Sequence, residues 1–230
     1  MLIKSGIVTQ MSGSIGGLTG SHNRGGLYFR ARAIPVNPNT TFQQAVRSYL
    51  ATLTSVWNNI LTPAERDAWA SYADQVPITG PLGDARVIGA LPMYLRCNVS
   101  RLQAALDRVD SGPTEYNLGE FTQPLVGVPS EAAQNVAIGF DDTDEWVDED
   151  GSSMLVYVSR PVNQTINYFK GPYRLAGQID GDSGTPPTSP ATINLPFTVA
   201  QGQKVFVKIN VTRADGRYSS PFRDGVTVGA

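Results

Sequence analysis

Seven of the chain's 20 acidic side chains fall within Asp141-Asp142-Thr143-Asp144-Glu145-Trp146-Val147-Asp148-Glu149-Asp150-Gly151. Clustered carboxylates support two kinds of chemistry. They chelate calcium when a turn converges several oxygens on the ion, and Asp148-Glu149-Asp150-Gly151 offers some of these. They also act as acid and base in glycoside hydrolysis when two of them are held at a fixed separation. The run suits neither well. It lacks the alternating acids, central glycine and distal glutamate of an EF-hand loop, and adjacent acids on one loop set no fixed separation. A solvated, charged hairpin loop is the simpler expectation. His22 is the lone histidine and Cys97 the lone cysteine. That argues against a His-based triad, a zinc site or an intrachain disulfide. Cys97 reads as a small core residue and His22 as a solvated or contact residue. Gly16-Gly17-Leu18-Thr19-Gly20 lacks the lysine and strand context of a phosphate-binding loop. No catalytic, cofactor or metal residue is assigned, and the chain is not expected to be an enzyme.

Charge is distributed unevenly. Lys4, Arg24, Arg30, Arg32 and Arg47 are the only charged side chains before Glu65. The first part of this basic stretch, Gly6 to Gly26, is rich in glycine and shows neither helical nor strand periodicity, so it has little with which to order itself. Such a leader gains structure by lying along a partner, and its arginines favour an acidic surface. Arg24, Tyr28, Arg30 and Arg32 are the expected assembly contacts. Nucleic acid is a poorer fit, because five positive charges give only weak, salt-sensitive binding.

The elements that must position these residues fall into regions of different period. At 230 residues the prior is two domains of about 100 residues, or one large all-β domain. An apolar fraction of 41% with 17% charged residues suits a folded protein, and charge this low occurs both where surface meets neighbours and in ordinary Gly/Pro/Thr-rich β proteins. No apolar run is long enough to span a membrane, and Met1-Leu2-Ile3-Lys4 does not open a signal peptide, so synthesis in a cytoplasm is expected. Residues 1–38 form an extended Gly-rich basic arm. Its one strand-like piece, Leu27 to Ile34, either adds to a neighbour's sheet or belongs to a small sheet of this chain.

Residues 39–110 read as a three-helix docking domain. Thr40 with Gln43 is a capping-box signature, and Phe42, Val46, Tyr49, Leu50, Leu53, Trp57 and Ile60 mark one apolar face. Thr62-Pro63-Ala64-Glu65 starts a second helix, with Trp69 and Tyr72 inward and an end before Pro77. A third has Pro92 in its first turn and Leu91, Leu95, Leu102, Leu106 and Val109 on one stripe. Trp57 and Trp69 are expected in the core of a small bundle.

Residues 111–133 read as a linker, and 134–230 as an antiparallel β-sandwich, making the class α+β. Val136–Phe140, Met154–Val158, Tyr173–Ala176, Ile193–Phe197, Lys204–Val211 and Gly225–Val228 alternate with period two between turns such as Asp215-Gly216 and Pro186-Pro187. The ending, from Lys204 through Ala214-Asp215-Gly216-Arg217-Tyr218-Ser219-Ser220-Pro221 to Val228, resembles the last two strands of fibronectin type III modules, an Ig-like fold. Such modules serve mainly as spacers and adhesion surfaces.

A second resemblance lies further upstream. Ser12-Gly13-Ser14-Ile15-Gly16-Gly17, Arg30, Pro35-Val36-Asn37-Pro38-Asn39-Thr40 with Gln43 and Arg47, then Trp57 and Leu61-Thr62-Pro63-Ala64-Glu65-Arg66-Asp67-Ala68-Trp69, form a combined motif. It is similar to uncharacterised proteins encoded by tailed bacteriophages and prophages, usually beside virion structural genes. The resemblance implies a virion component of capsid decoration, neck or tail, with other virion proteins as partners and copies of itself in the particle. It carries no catalytic residue and implies no cofactor. A receptor- or glycan-binding tail protein, working through the sandwich loops, is the alternative.

Overall fold

Ile15 and Leu18 pair across Gly16-Gly17, and Gly16 takes the left-handed φ of +58° that so tight a hairpin requires. In the computed structural model, which describes residues 2–3, 12–23, 26–79, 83–117 and 121–230, this hairpin seeds an antiparallel sheet. Strands β1 (Leu2–Ile3), β2 (Gly13–Ile15), β3 (Leu18–Asn23) and β4 (Gly26–Ala31) pair in the order β1-β4-β3-β2. Strand structure is not confined to the stretch from Leu27 onward: Gly13–Ile15 and Leu18–Asn23, which lack any strand period, are strands as well, and the Leu27 strand belongs to the chain's own sheet. This sheet lies in one unit, Met1–Gln43, and Gln44–Ala230 forms another. Among the described residues of the first unit, Gly20 alone is buried.

Helix α1 (Thr41–Asn59) begins as its sequence predicts, with Thr40 and Gln43 capping each other reciprocally. In the second unit its residues Leu53 and Val56 are buried, while Leu50 and Ile60 are exposed. Helix α2 (Pro63–Gln75) carries the full capping box: Glu65 N–H donates to Thr62 Oγ1 at 3.3 Å and Thr62 N–H to the Glu65 carboxylate at 2.7 Å. A two-stranded ribbon, β5 (Ile78–Thr79) with β6 (Ala85–Arg86), precedes α3 (Ala90–Gln103). The buried face of α3 is Met93, Tyr94, Cys97, Asn98 and Arg101. The expected leucine stripe lies on its margins, and Leu106 and Val109 follow the helix end. Trp69 is wholly buried and donates its indole N–H to the Asp110 carbonyl at 2.8 Å. Trp57 is only partly covered, with its ring 5.4 Å from that of Tyr94, so its assignment to the core is corrected to the rim.

The rest of this unit is two antiparallel sheets. One has β7 (Leu125–Val126), β8 (Asn135–Gly139) and β12 (Ala191–Asn194) in the order β12-β8-β7. The other has β9 (Ser153–Ser159), β10 (Val162–Asn163), β11 (Tyr173–Asp180), β13 (Gln203–Thr212) and β14 (Phe222–Thr227), ordered β10-β13-β9-β11 with β14 also on β13. The class is α+β, with three helices and several antiparallel sheets among the described residues. Val126, Val136 and Ile138 share one core with Met154, Val156, Val158, Val205, Val207, Ile209 and Val211. Leu155, Tyr157 and Tyr218 face the other way and join the helical core around Trp69 and Cys97. Strand β9 is therefore buried on both faces along its whole length, which explains its unbroken apolar run. A bulge between Leu175 and Gly177 lets β11 turn Leu175 to the helices and Ile179 to the inter-sheet core.

The segment read as a linker does not swing free at its start. A Cβ on the buried Gly112 would lie 2.6 Å from the backbone of Ala68 and Trp69, so the chain there lies flush on α2. Helices α2 and α3 and both sheets belong to one unit, and the helices share the core around Trp69 with β9 and β11.

Candidate functional site

The sheet of the first unit has two chemically distinct faces. Side chains paired directly across an antiparallel sheet share a face, and successive residues alternate. Tyr28 lies opposite Ser21, and Arg30 opposite Thr19, which pairs in turn with Ser14; the two hydroxyls, Ser14 Oγ and Thr19 Oγ1, lie 2.8 Å apart. This face is polar and basic, with Arg30 exposed and Tyr28 half-buried. Arg32, also exposed, follows the strand and donates its backbone N–H to the Gly17 carbonyl at 2.8 Å. Three of the four expected contact residues thus sit together on or beside β4. The fourth, Arg24, lies outside the described residues.

The opposite face was not anticipated from sequence. Phe29 lies across from Gly20, which lies across from Gly13; Ala31, Leu18 and Ile15 form the next row. The two glycines leave a trough of about 400 Å³ lined by Ile15, Leu18 and Phe29. Ile15 is 83% exposed and Leu18 53%. The apolar area left open on this face adds to stability only once a partner covers it. The signal in the sequence is the alternation Gly13, Ile15 and Leu27, Phe29, Ala31, which reads only once Gly16-Gly17 is recognised as a hairpin turn.

The acidic run is a loop whose Asp142, Glu145, Asp148 and Asp150 are exposed, as a solvated charged loop should be, but it joins two different sheets instead of closing a hairpin, and its centre is anchored in the core. Trp146 and Val147 at its centre are buried, with Trp146 5.2 Å from the ring of Phe140. Asp144 is also buried, and it accepts from Thr122 N–H at 3.1 Å and Thr122 Oγ1 at 2.8 Å. Glu145, at 3.0 Å, and Glu149 both pair with Arg213. Asp150 accepts from Ser183 N–H at 2.8 Å and Ser183 Oγ at 3.0 Å. Asp141 accepts from the hydroxyl and N–H of Thr143, and these bonds hold its carboxyl below the usual range. These carboxylates cap backbone and hold loops. Among the described residues no group of three or more His, Cys, Asp or Glu side chains is placed to hold a metal.

Arg101 is the buried counterpart of this arrangement. Its guanidinium donates to the carbonyls of Asp107 (2.7 Å), Arg213 (2.7 Å) and Gly151 (3.2 Å) and to Thr212 Oγ1 (3.3 Å), joining α3 to the turns after the acidic run and after β13. Burial lowers its pKa from the usual arginine value. Cys97 is fully buried beside it in α3, and burial pushes its thiol up to about 12. A thiol so held stays protonated at neutral pH and is a poor nucleophile. His22 lies on β3 opposite Leu27.

No family model matches this chain, and neither does any curated protein or solved structure.

Proposed function

We propose that this chain is a structural component of a tailed-bacteriophage virion, of capsid decoration, neck or tail, and that it attaches through its N-terminal unit and helices. The observation that carries the reading is the sheet of the first unit: an open apolar face around Ile15, Leu18 and Phe29, backed by a face bearing Arg30. A segment built this way gains most of its stability from a partner, and its charge favours an acidic one. The resemblance to phage-encoded proteins covers this same region and runs on into α2. The partners are other virion proteins and, within the particle, further copies of the chain. The chain works as a structural protein and not as an enzyme; it is made in the host cytoplasm and resides in the virion.

The projecting part is a β-sandwich of fibronectin type III or Ig-like type. Two antiparallel sheets sharing one valine- and isoleucine-rich core support this, as does the closing β13–β14 pairing, Lys204↔Thr227 to Ile209↔Phe222. Imaging of particles labelled on this protein tests the function directly. Label at one repeated position on head, neck or tail is the expected result; labelled protein that never sediments with particles refutes it.

A further inference from the structure

The second unit carries a surface that its own stability does not explain. Lys208 on β13 lies directly across from Arg223 on β14. Like charges directly opposite each other destabilise an antiparallel pair. Among the described residues no carboxylate forms an ion pair with Lys204, Lys208 or Arg223. Asp224, the nearest acid in β14, lies opposite Val207 and so faces the other side of the sheet. β9 and β13 contain no acid, and β11 has only Asp180, at its far end opposite Ser153.

The two lysines are held in place by aromatic rings. Lys208 Nζ sits 4.1 Å from the ring centre of Tyr157 and 5.8 Å from that of Tyr173, and Lys204 Nζ sits 5.5 Å from that of Phe206. Phe169 packs edge-on against Phe206 at 5.6 Å and remains 51% exposed, and its neighbour Tyr168 is 64% exposed. Beside Lys208, the buried Tyr173 hydroxyl has no hydrogen-bond partner. Burial and the neighbouring Arg223 both lower the Lys208 pKa, as expected for cations crowded together with no anion.

We propose that Lys208, Arg223 and Lys204, with the exposed rings of Tyr168 and Phe169, bind an acidic glycan bearing carboxylate groups. The planar guanidinium of Arg223 matches a carboxylate in bidentate fashion, and Lys208 supplies a second point charge across the strand pair. The sugar ring lies on the exposed aromatics. Single-stranded nucleic acid fits less well, because it needs successive open ring faces. Here the faces of Tyr157, Tyr173 and Phe206 are already taken by ammonium groups. The site lies wholly within residues 44–230, so it stands or falls independently of virion attachment.

The test is titration of the full chain with a galacturonate decamer, a neutral maltodextrin of equal length and a ten-nucleotide single-stranded DNA, each at low and moderate salt. The galacturonate should bind and weaken with salt, and the maltodextrin should not bind. Lys208→Gln and Arg223→Gln should each lower affinity at least tenfold, and Arg223→Gln should leave the melting temperature unchanged or raised, since it relieves the like-charge contact and keeps Lys208 over the Tyr157 ring. Joint replacement of Tyr168 and Phe169 by Ala should lower affinity about fivefold, an order of magnitude consistent with loss of aromatic contact. Absence of galacturonate binding, indifference to the two Gln variants, or a fall in melting temperature in Arg223→Gln overturns the proposal. Tighter binding of the DNA than of the galacturonate overturns it in favour of nucleic acid.

Discussion

Replacing Ile15 and Leu18 together by Ala is the sharpest probe of the N-terminal sheet. Each change removes three carbons, and a fully buried methylene is worth about 0.8 kcal/mol. With Ile15 83% and Leu18 53% exposed before docking, the covering partner would bury these carbons almost entirely at its own interface. Scaling by those exposures gives a loss of about 2 kcal/mol at Ile15 and about 1.3 kcal/mol at Leu18. The double variant should therefore rebind to particles stripped of the native protein with a Kd weaker by on the order of 100-fold. Both residues belong to the first unit, so the thermal unfolding of residues 44–230 should not move. Sedimentation of labelled protein with stripped particles over a concentration series measures the first quantity, and calorimetry the second. Rebinding at native affinity would refute the reasoning and shift attachment to another surface. A large fall in the main unfolding temperature would show that the sheet face is part of the core.

The two tryptophans of the helices should separate cleanly. Trp69→Ala should destabilise by roughly 3–5 kcal/mol as a wholly buried aromatic, and Trp57→Ala by about half as much or less, as read from denaturant midpoints. The Cys97 thiol is raised from 9.0 to about 12 by burial. Above pH 9 the unfolded chain loses this proton while the folded chain keeps it, so stability falls as pH rises from 9 towards 12. Cys97→Ala should flatten that part of a melting-temperature profile, and native Cys97 should resist iodoacetamide at pH 8 until the chain unfolds. Chelation with EDTA should change neither melting temperature nor attachment, because Asp144, Glu149 and Asp150 are already bonded to Thr122, Arg213 and Ser183. Release of the protein by EDTA would return the acidic run to calcium.

Much of the local structure was legible because it depends on neighbours in sequence. Thr62-Pro63-Glu65 encodes its own helix start, and the period-two runs at 136, 154, 173 and 204 lie within strands. What escaped depends on distant partners. The leucine stripe of α3 outweighed Asn98 and Arg101 by hydropathy, yet both are buried. Asn98 is satisfied by the Val109 backbone, and Arg101 by carbonyls as far away as Arg213. The acidic run hid its structural role for the same reason, since Thr122, Ser183 and Arg213 lie far along the chain. Of the candidate surfaces, Tyr28, Arg30 and Arg32 were visible as a basic strand. The apolar face behind them was masked by Gly13 and Gly20. The pairing of Lys208 with Arg223 exists only through strand register, which no local pattern states.

Gly112 lying flush on α2, and Arg101 fastened to the turn before β9 and the turn after β13, leave little play between helices and sheets. Rigidity of this kind matters most when copies are repeated at fixed spacing on one scaffold. Each copy then holds its outer sheet face at the same height and angle as its neighbours. A long ligand caught by one copy meets the next at an effective concentration set by geometry instead of by diffusion. A site too weak to retain a monomeric ligand alone becomes, in such an array, a grip that releases only when many contacts open at once.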